Sequence, residues 1–503
     1  MTKQLIFLHF FGIIRLEKKQ KTKKQKNGEK IMRSYVQMSL SDTYENVAAS
    51  ISEKKPELIS LLEQHIDFDG LIPARFKAAF YGRYGRSHKY HLESFIRALI
   101  LQKLLGIPTD ALLITILKCS RELSSFCGFD KIPDASQFTR FRDKYCDYLS
   151  DMFEYLVDLT EPICREIHEK KADYLIYDTT GIELSVKENN PKFLSTKLKA
   201  AKSLAKSNPD FDPYRGVYSL LPNCSETNPD IHQQHINGHF CYAAKVGIVT
   251  NGLGIIRHIS FFDENFKNKH KDISFSKSDN PDSDKEIGDS TSLKPVLSDF
   301  FSVHPDFVFK TFIGDSAFDS YDNYSMLKNE FGFERACIPL NPRNSKSQNA
   351  EFDFHGTPVC PLDGKPFSYL GKSGGAHRSL RFKWVCPKSI ANGNTRYCTC
   401  ETPCTASSYG KCVYTYPDKD FRFYPGIPRN TEHWNNLYRH RVVIERTINL
   451  LKDTFVLDSR KSVRTVSAKA DLYLAGIVQL IGVLLANSLC KPQFIKSIRR
   501  LIA

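Results

Sequence analysis

The feature that most constrains the fold of this chain is a change in the spacing of apolar residues near residue 172. Residues 40–160 show helical spacing almost throughout, and the predicted helices are residues 57–65, 91–105, 110–126 and 136–159. Beyond residue 172, short apolar runs predict strands at residues 174–184, 242–250, 254–262, 307–313 and 335–340. The chain is therefore predicted to join a helical N-terminal domain to a domain that contains a sheet.

The order of the later elements indicates the type of sheet. Three strands come first, and helical patterns at residues 292–303 and 321–331 then alternate with the remaining strands. This order predicts a mixed α/β sheet. Two polar stretches, residues 192–235 and 267–290, interrupt it and are predicted as long loops. Residues 341–424, rich in Gly, Pro and Cys, are predicted as an insertion.

Composition limits the class of protein and its partners. With 41% hydrophobic and 25% charged residues the chain reads as globular, and its net charge of +15 favours nucleic acid or an anionic membrane surface. Apolar runs are too short for a membrane span, and the longest, residues 472–489, contains Gln479 and is predicted as a core helix. We therefore predict no membrane partner and a cytoplasmic location.

The first 39 residues are predicted to be a basic, disordered extension. Residues 1–31 contain nine Lys or Arg and only two Glu. An apolar run precedes the basic cluster, which is the reverse of the order in a signal peptide. A basic arm that contacts DNA is the functional alternative for this segment.

Near the C-terminus, one predicted helix over residues 438–452 carries two stripes of side chains. Helical periodicity places four polar residues on one stripe, namely Tyr438, Arg441, Glu445 and Lys452. The second stripe is apolar and consists of Ile444, Ile448, Leu451 and Phe455. The helix is expected to pack by its apolar edge and to present a carboxylate between basic and aromatic neighbours. Such a group suits a metal ion close to a phosphate backbone.

Two aspartates elsewhere are candidates for the same site. Asp178 interrupts the apolar strand at residues 174–180, and Asp315 follows directly where another apolar strand stops. Asp319 is instead predicted to be the N-cap of the helix that begins near Tyr321. Taken alone, each aspartate is also explained as a turn or cap residue. Two divalent metals, however, need carboxylates from separate elements, which these positions supply.

The stripe of polar residues resembles the Y-x2-R-x3-E-x6-K signature of DDE transposases from bacterial insertion sequences. The surroundings of Asp178 (Asp-x-Thr) and of Asp315 (Gly-Asp-x-Ala-Phe-Asp) are also similar to this family, as is the segment 123–142. The resemblance covers most of residues 85–490. It implies an RNase H-like catalytic domain over residues 170–340 plus 425–490, preceded by a helical DNA-binding domain over residues 40–165.

The resemblance also implies roles for individual residues. Asp178, Asp315 and Glu445 would bind two Mg²⁺ or Mn²⁺ ions, while Tyr438, Arg441 and Lys452 would contact or orient DNA near the cleaved phosphate. For these last three, solvent exposure with i to i+4 pairing, such as Arg441 with Glu445, is the structural alternative.

The resemblance further implies an activity and its partners. The protein would bind terminal inverted repeats of double-stranded DNA, cleave the DNA and join the freed 3′-hydroxyl to target DNA, as a dimer or a larger assembly. There are two alternative functions. One is a nuclease that cuts without strand transfer, and the other is a non-catalytic, zinc-bound DNA-binding protein.

Two clusters of basic residues are further candidates for contact with DNA. In the helical domain, Arg140, Arg142 and Lys144 form a cluster of the kind that small helical units use to bind DNA. After the first catalytic strand, a lysine run that includes Lys197, Lys199 and Lys202 predicts a loop or short helix that contacts phosphates without reading bases.

Six of the 14 cysteines lie between residues 360 and 412. A structural zinc site could use Cys386, Cys398, Cys400, Cys404 and Cys412. Their irregular spacing leaves a set of reduced thiols as an equal alternative. The other eight cysteines are scattered as in reduced cytosolic proteins, so a disulfide framework is not expected.

Overall fold

The computed structural model describes residues 56–82, 88–208, 210–236, 239–271, 287–341, 351–375 and 378–501, and the predicted extension over residues 1–39 lies outside them. The N-terminal described region is helical, and its helices are α1 Glu57–His65, α2 Ala74–Tyr81, α3 Leu92–Leu104, α4 Asp110–Cys119, α5 Arg121–Cys127 and α6 Ala135–Ala172. The predicted helix over residues 110–126 is divided because Ser120 ends α4 and caps α5. Helix α6 is longer than predicted and bends at Tyr145 and His168.

The sheet is mixed, as predicted. Its strands in the described residues are β1 Tyr174–Glu183, β2 His232–Ile236, β3 His239–Asn251, β4 Ile256–Phe261, β5 Thr311–Ile313 and β6 Arg335–Cys337. Their order is β2-β3-β1-β5-β6, and β4 pairs with the far part of β3. Strands β1, β3 and β4 are antiparallel, whereas β5 pairs in parallel with both β1 and β6. Strand β1 is therefore central and has one neighbour of each kind.

The long-loop prediction for residues 192–235 is wrong in its first part. Residues Pro191–Ser207 form a 17-residue helix, α7, which begins at the N-cap Asn190 with proline at its first position. The short helix α8 Pro213–Gly216 follows. A lysine-rich composition suggested a loop, but lysine is a good helix former and apolar residues recur at helical spacing between the lysines.

Three further helices lie along the second half of the sheet. They are α9 Glu264–Lys269, α10 Asp289–Val303 and α11 Tyr321–Asn329. The other predicted loop, residues 267–290, falls largely outside the described residues, since residues 272–286 are not among them. Helices α10 and α11 cover one face of β1 and β5 and share an apolar core with them.

Residues 351–424 form a separate small β-structure where an insertion was predicted. Strands β7 Ser368–Gly375, β8 Arg378–Val385 and β11 Cys412–Thr415 make one sheet, and β9 Ser389–Asn392 pairs with β10 Thr395–Cys398. This unit has its own core, formed by Cys360, Phe367, Phe382, Trp384 and Cys386.

The C-terminal helices close the fold. They are α12 Glu432–Tyr438, α13 Val442–Asn449 and α14 Thr465–Ser488. Helix α14 is long and apolar enough to cross a membrane, but 89% of its most apolar window is buried inside the protein, as expected for a core helix. It packs along α6 and against α3. One continuous apolar core therefore joins the N-terminal helices, α14 and the second face of the sheet.

Candidate active site

Asp178 and Asp315 lie at the same edge of the sheet. In the parallel pairing of β1 with β5, Ile176 is opposite Ile313; two residues later come Asp178, within β1, and Asp315, just past the end of β5. Asp315 begins a 3₁₀ turn over Ser316–Phe318, where its carboxylate accepts a hydrogen bond from the Ala317 amide at 2.7 Å. Because neighbouring parallel strands point the same way, this register brings the two carboxylates together.

The closeness of the two aspartates alters the chemistry of Asp178. Burial, reinforced by the negative charge of Asp315, raises the pKa of Asp178 to about 6. A hydrogen bond from the Thr179 amide at 2.9 Å and the charge of Arg441 offset only part of this shift. The negative charge of the pair is therefore only partly neutralised by its neighbours.

The signature segment is helical throughout but is not a single α-helix. Helix α12 passes into a 3₁₀ turn at Arg439–Arg441, then into α13, and ends in a π-helical segment at Leu450–Thr454. The apolar edge is buried as predicted and consists of Ile444, Ile448, Leu451 and Phe455.

The turn between β3 and β4 fixes the position of α13. The Thr447 hydroxyl donates a hydrogen bond to the Gly254 carbonyl at 2.9 Å. Gly254 has a φ of +77°, and a β-carbon there would lie 2.8 Å from Val443. Glycine thus allows both the turn and the close approach of the helix.

Arg441 links the helix to the strand. Its Nη2 lies 2.5 Å from Oε1 of Glu445, and its Nη1 lies 3.7 Å from Oδ2 of Asp178. The i to i+4 pairing considered for Arg441 and Glu445 is therefore present. Both carboxylates share one guanidinium, and the Glu445 side chain keeps 43% of its surface exposed. Glu445 is thus held beside Asp178 while remaining open to solvent.

The two remaining signature residues have different surroundings. Tyr438 stacks on Trp434 with ring centroids 4.9 Å apart, and burial together with the charge of Asp315 raises the pKa of Tyr438. Lys452 is 6% exposed, and burial lowers its pKa although Asp458 and Glu183 are near. The π-helical segment alters the rotation per residue, so Lys452 leaves the stripe and lies near the far end of β1.

The site contains groups that sequence reasoning missed. Asp289, at the start of α10, accepts hydrogen bonds from the Thr179 hydroxyl at 2.6 Å and from the Lys245 ammonium at 2.7 Å. Its charge also contributes to the raised pKa of Asp178. Lys245 could have been found by the argument used for Asp178, because it is a charge within an apolar predicted strand.

The predicted basic surface on α7 is exposed. Lys199 and Lys202 face solvent, and Lys197 is half-buried. The ammonium groups of Lys197 and Lys202 lie 5.6 Å and 5.0 Å from the ring centroids of Phe193 and Tyr214. Within helix α7, Ala201 alone is buried. The helix therefore presents its lysines away from the body of the protein.

Two predicted roles near these regions are wrong. Arg142 is fully buried and pairs with Asp110 at 2.9 Å, so it is not part of an exposed basic cluster. Asp319 does not cap α11, because Ser320 does. Asp319 is instead buried against Arg422, with oxygen to nitrogen distances of 2.9 Å and 2.7 Å. In both cases a distant partner explains the charge.

All fourteen cysteines fall within the described residues, and all are free. Burial raises the pKa of the Cys386 thiol, and the nearby thiols of Cys360, Cys398 and Cys404 add to this effect. Gly410 lies between two of them, since a β-carbon there would be 3.6 Å from that of Cys398 and 3.7 Å from that of Cys386. The chain thus folds distant cysteines into one cluster.

The part of the chain that the structure describes contains no group of three or more His, Cys, Asp or Glu side chains placed to hold a metal ion. In the carboxylate site, the Arg441 guanidinium stands between Asp178 and Glu445. Within the cysteine cluster, a hydrogen bond with Cys398 raises the pKa of Cys400 to about 11.

A comparison with protein families bears on the function of this arrangement. Residues 47–144 match a family model described as a transposase domain (DUF772). This match supports a transposase family. The matched residues include helices α1 to α5 and the first part of α6, and of these helices α1, α3 and α6 pack against the core helix α14. Neither the curated proteins nor the solved structures that were compared contain a match to this chain. A transposase family implies an enzyme that modifies DNA.

Proposed function

We propose that this protein is a DDE-type DNA transposase of a bacterial insertion sequence, with Asp178, Asp315 and Glu445 as its catalytic carboxylates. The observation that carries the proposal is the meeting of three carboxylates from separate elements, where Arg441 contacts Asp178 and Glu445 while Asp315 raises the pKa of Asp178. The sheet supports an RNase H-like catalytic domain, since the antiparallel strands β1 to β4 adjoin the parallel strands β5 and β6.

The residues at this site fit divalent metal ions of the Mg²⁺ or Mn²⁺ type. Asp178 and Asp315 are adjacent like charges, and the raised pKa of Asp178 shows that further positive charge would stabilise them. Glu445 would be the third ligand, in place of its contact with Arg441. When bound, two such ions activate the attacking oxygen and stabilise the leaving oxygen of a phosphodiester. Arg441 is then free to hold the DNA phosphate.

The wider surface supports DNA as the substrate. Lys197, Lys199 and Lys202 on α7 are proposed to neutralise phosphates, and Tyr438 to orient DNA beside Asp315. The burial of Lys452 does not favour direct contact with DNA, and we propose that it supports the helix instead. The active form is proposed to be a dimer that pairs two DNA ends in the bacterial cytoplasm. Residues 40–165 are proposed to bind the ends.

A strand-transfer assay tests this function. Purified protein, Mg²⁺, DNA carrying the terminal inverted repeats that flank the gene, and a target plasmid should yield both cleaved ends and joined products. Cleavage without joined product would favour the nuclease alternative. DNA binding with neither product would favour a non-catalytic DNA-binding protein.

The raised pKa of Asp178 predicts a pH-dependent effect on stability. A carboxyl group whose pKa rises on folding destabilises the fold progressively as pH rises from its unfolded value to its folded value, and the effect is absent below the unfolded value, where the group is protonated in both states. Asp178→Asn should therefore be more stable than the wild type by about 3 kcal/mol at pH 7.5 without divalent metal, and nearly equal near pH 3. Chemical denaturation at both pH values measures this difference.

Mg²⁺ provides the matching control. At pH 7.5 it should raise the unfolding temperature of the wild type more than that of Asp178→Asn, because binding to the folded state stabilises it. Parallel pH profiles for the two proteins, or equal shifts with Mg²⁺, would argue against a cation site at Asp178.

We also propose a structural zinc ion in the cysteine-rich insertion. The support is that Cys398, Cys404 and Cys360 all lie near Cys386, although Cys360 precedes the predicted ligands along the chain. Cys400 and Cys412 are the remaining predicted ligands, and they serve as alternatives to Cys404. Such a site would brace the insertion and take no part in DNA cleavage, because tetrahedral thiolate sites are closed to substrate.

Metal analysis tests the zinc proposal. Protein purified without chelator should hold one zinc atom per chain, and a Cys386→Ser, Cys398→Ser variant should hold none. Cys490→Ser is the control, because Cys490 is an exposed thiol outside the insertion. A zinc content unchanged by the double substitution, or no zinc in the wild type, would contradict the site.

A further inference from the structure

A groove with an aromatic floor and a basic rim lies in the N-terminal helical region. It has a volume of about 270 Å³ and is lined by Phe80, His88, Lys89, Tyr90, Phe95, Gln137, Arg140, Phe141, Lys144 and Tyr145. Four of its rings are buried and form the floor, namely Phe80, Phe95, Phe141 and Tyr145. None of the carboxylates of the candidate active site lines this groove.

The charged side chains that line this groove are all basic. Lys89, Arg140 and Lys144 are exposed there, and none of the described residues that line the groove is acidic. Arg142, the other cation of this segment, points into the protein and binds Asp110 and Asp471. Two of the three residues in the predicted basic cluster therefore face the groove, and the third does not.

The floor accepts a flat heteroaromatic ring. The imidazole of His88 stacks on Phe80 with centroids 4.4 Å apart and an angle of 28° between the planes. The Lys144 ammonium lies 5.0 Å from the centroid of the Tyr145 ring, which joins the basic rim to the aromatic floor. A ligand with a planar ring and a neighbouring anion matches both parts.

We propose that this groove binds an unpaired nucleotide of the DNA substrate, with its base against the aromatic floor and its phosphate at Lys89, Arg140 and Lys144. Bases within a duplex are covered on both faces by their neighbours, so only an unpaired base can reach the floor. Stacking on aromatic side chains within a basic groove is a general way to hold single-stranded nucleic acid. The inference rests on the proposed function, because it takes DNA to be the substrate.

Fluorescence anisotropy with two labelled DNAs tests the proposal. One DNA is a blunt duplex, and the other is the same duplex with three unpaired nucleotides at one end. Without added divalent metal or chelator, the wild type should bind the second DNA roughly tenfold more tightly, within the range of one stacked base. Arg140→Ala, Lys144→Ala should lose this preference while binding the blunt duplex within about threefold of the wild type.

A second double variant, Lys118→Ala, Lys131→Ala, is the matched control. Both lysines are exposed in the same helical region, and neither lines the groove. This variant should keep the tenfold preference. His88→Ala should reduce the preference, and because His88 is exposed the substitution spares the buried floor.

Three results would overturn the groove proposal. They are equal affinity of the wild type for both DNAs, an equal loss of affinity for both DNAs in the rim variant, and loss of the preference in the control variant. Because binding is measured without metal, this outcome is separate from that of the strand-transfer assay. A protein that transfers strands but shows no preference would refute the groove alone.

Discussion

Replacing Asp178 or Asp315 by Asn, or Glu445 by Gln, should each lower the rates of DNA cleavage and strand transfer by at least about 10³-fold. This loss corresponds to about 4 kcal/mol of transition-state stabilisation. Each substitution keeps the size of the side chain and removes the charge that would hold a metal ion. The measurement is the single-turnover rate of product formation at saturating DNA and Mg²⁺.

DNA binding separates this effect from misfolding. Each variant should bind DNA within about threefold of the wild type, because the phosphate contacts are proposed for lysines elsewhere. Glu183→Gln is the matched control, since Glu183 is the last residue of the strand that carries Asp178 and lies near Lys452. It should cleave at nearly the wild-type rate. A variant of Asp178, Asp315 or Glu445 with wild-type cleavage would remove that residue from the site.

The spacing of apolar residues along the chain was sufficient to predict many of the helices and strands. The change of period near residue 172 located the helical region and the strands, because both elements impose their spacing on apolar residues within a few positions. The first described helix, Glu57–His65, has the predicted bounds. The apolar edge of the signature segment is buried as the 3.6-residue period requires.

What the sequence missed depends on contacts between distant residues. Arg140, Arg142 and Lys144 look alike along the chain, but Arg142 finds its carboxylates 32 and 329 positions away. Asp319 likewise pairs with Arg422, 103 positions away. Lys452 is buried where an exposed stripe was predicted, and the reason is local, because spacing that assumes an α-helix does not reveal a π-helical turn. The sequence shows which residues are charged, but it does not show which of them face an oppositely charged partner inside the protein.

The buried partner of Arg142 leads to a large expected effect on stability. Asp471→Ala should lower the free energy of unfolding by about 3–5 kcal/mol, because it leaves buried cations without their carboxylate. Asp471 is 1% exposed and lies 3.0 Å from Lys103 and 3.2 Å from Arg142, and it also pairs with Arg460. Burial lowers the pKa of Lys103 to about 8 even with Asp471 in place. Urea denaturation measures the change.

A surface ion pair supplies the comparison for this substitution. Asp151→Ala removes the partner of the exposed Arg75, which lies 2.8 Å away, and should cost at most about 1 kcal/mol. If Asp471→Ala cost no more than Asp151→Ala, the buried network would not stabilise the fold.

A compensating substitution separates charge from packing. The double variant Asp471→Leu, Lys103→Met removes the buried carboxylate together with one of its cationic partners. Its new side chains fill the space with apolar atoms. Such exchanges of buried ion pairs are often neutral or stabilising, so this double variant should recover at least half of the loss seen in Asp471→Ala. Failure to recover would mean that Asp471 acts mainly by holding Arg142 and Arg460 in place. Because these residues come from α3, α6, α14 and the chain after α13, the network joins the helices of the transposase-domain match to α14 and to the segment that precedes it.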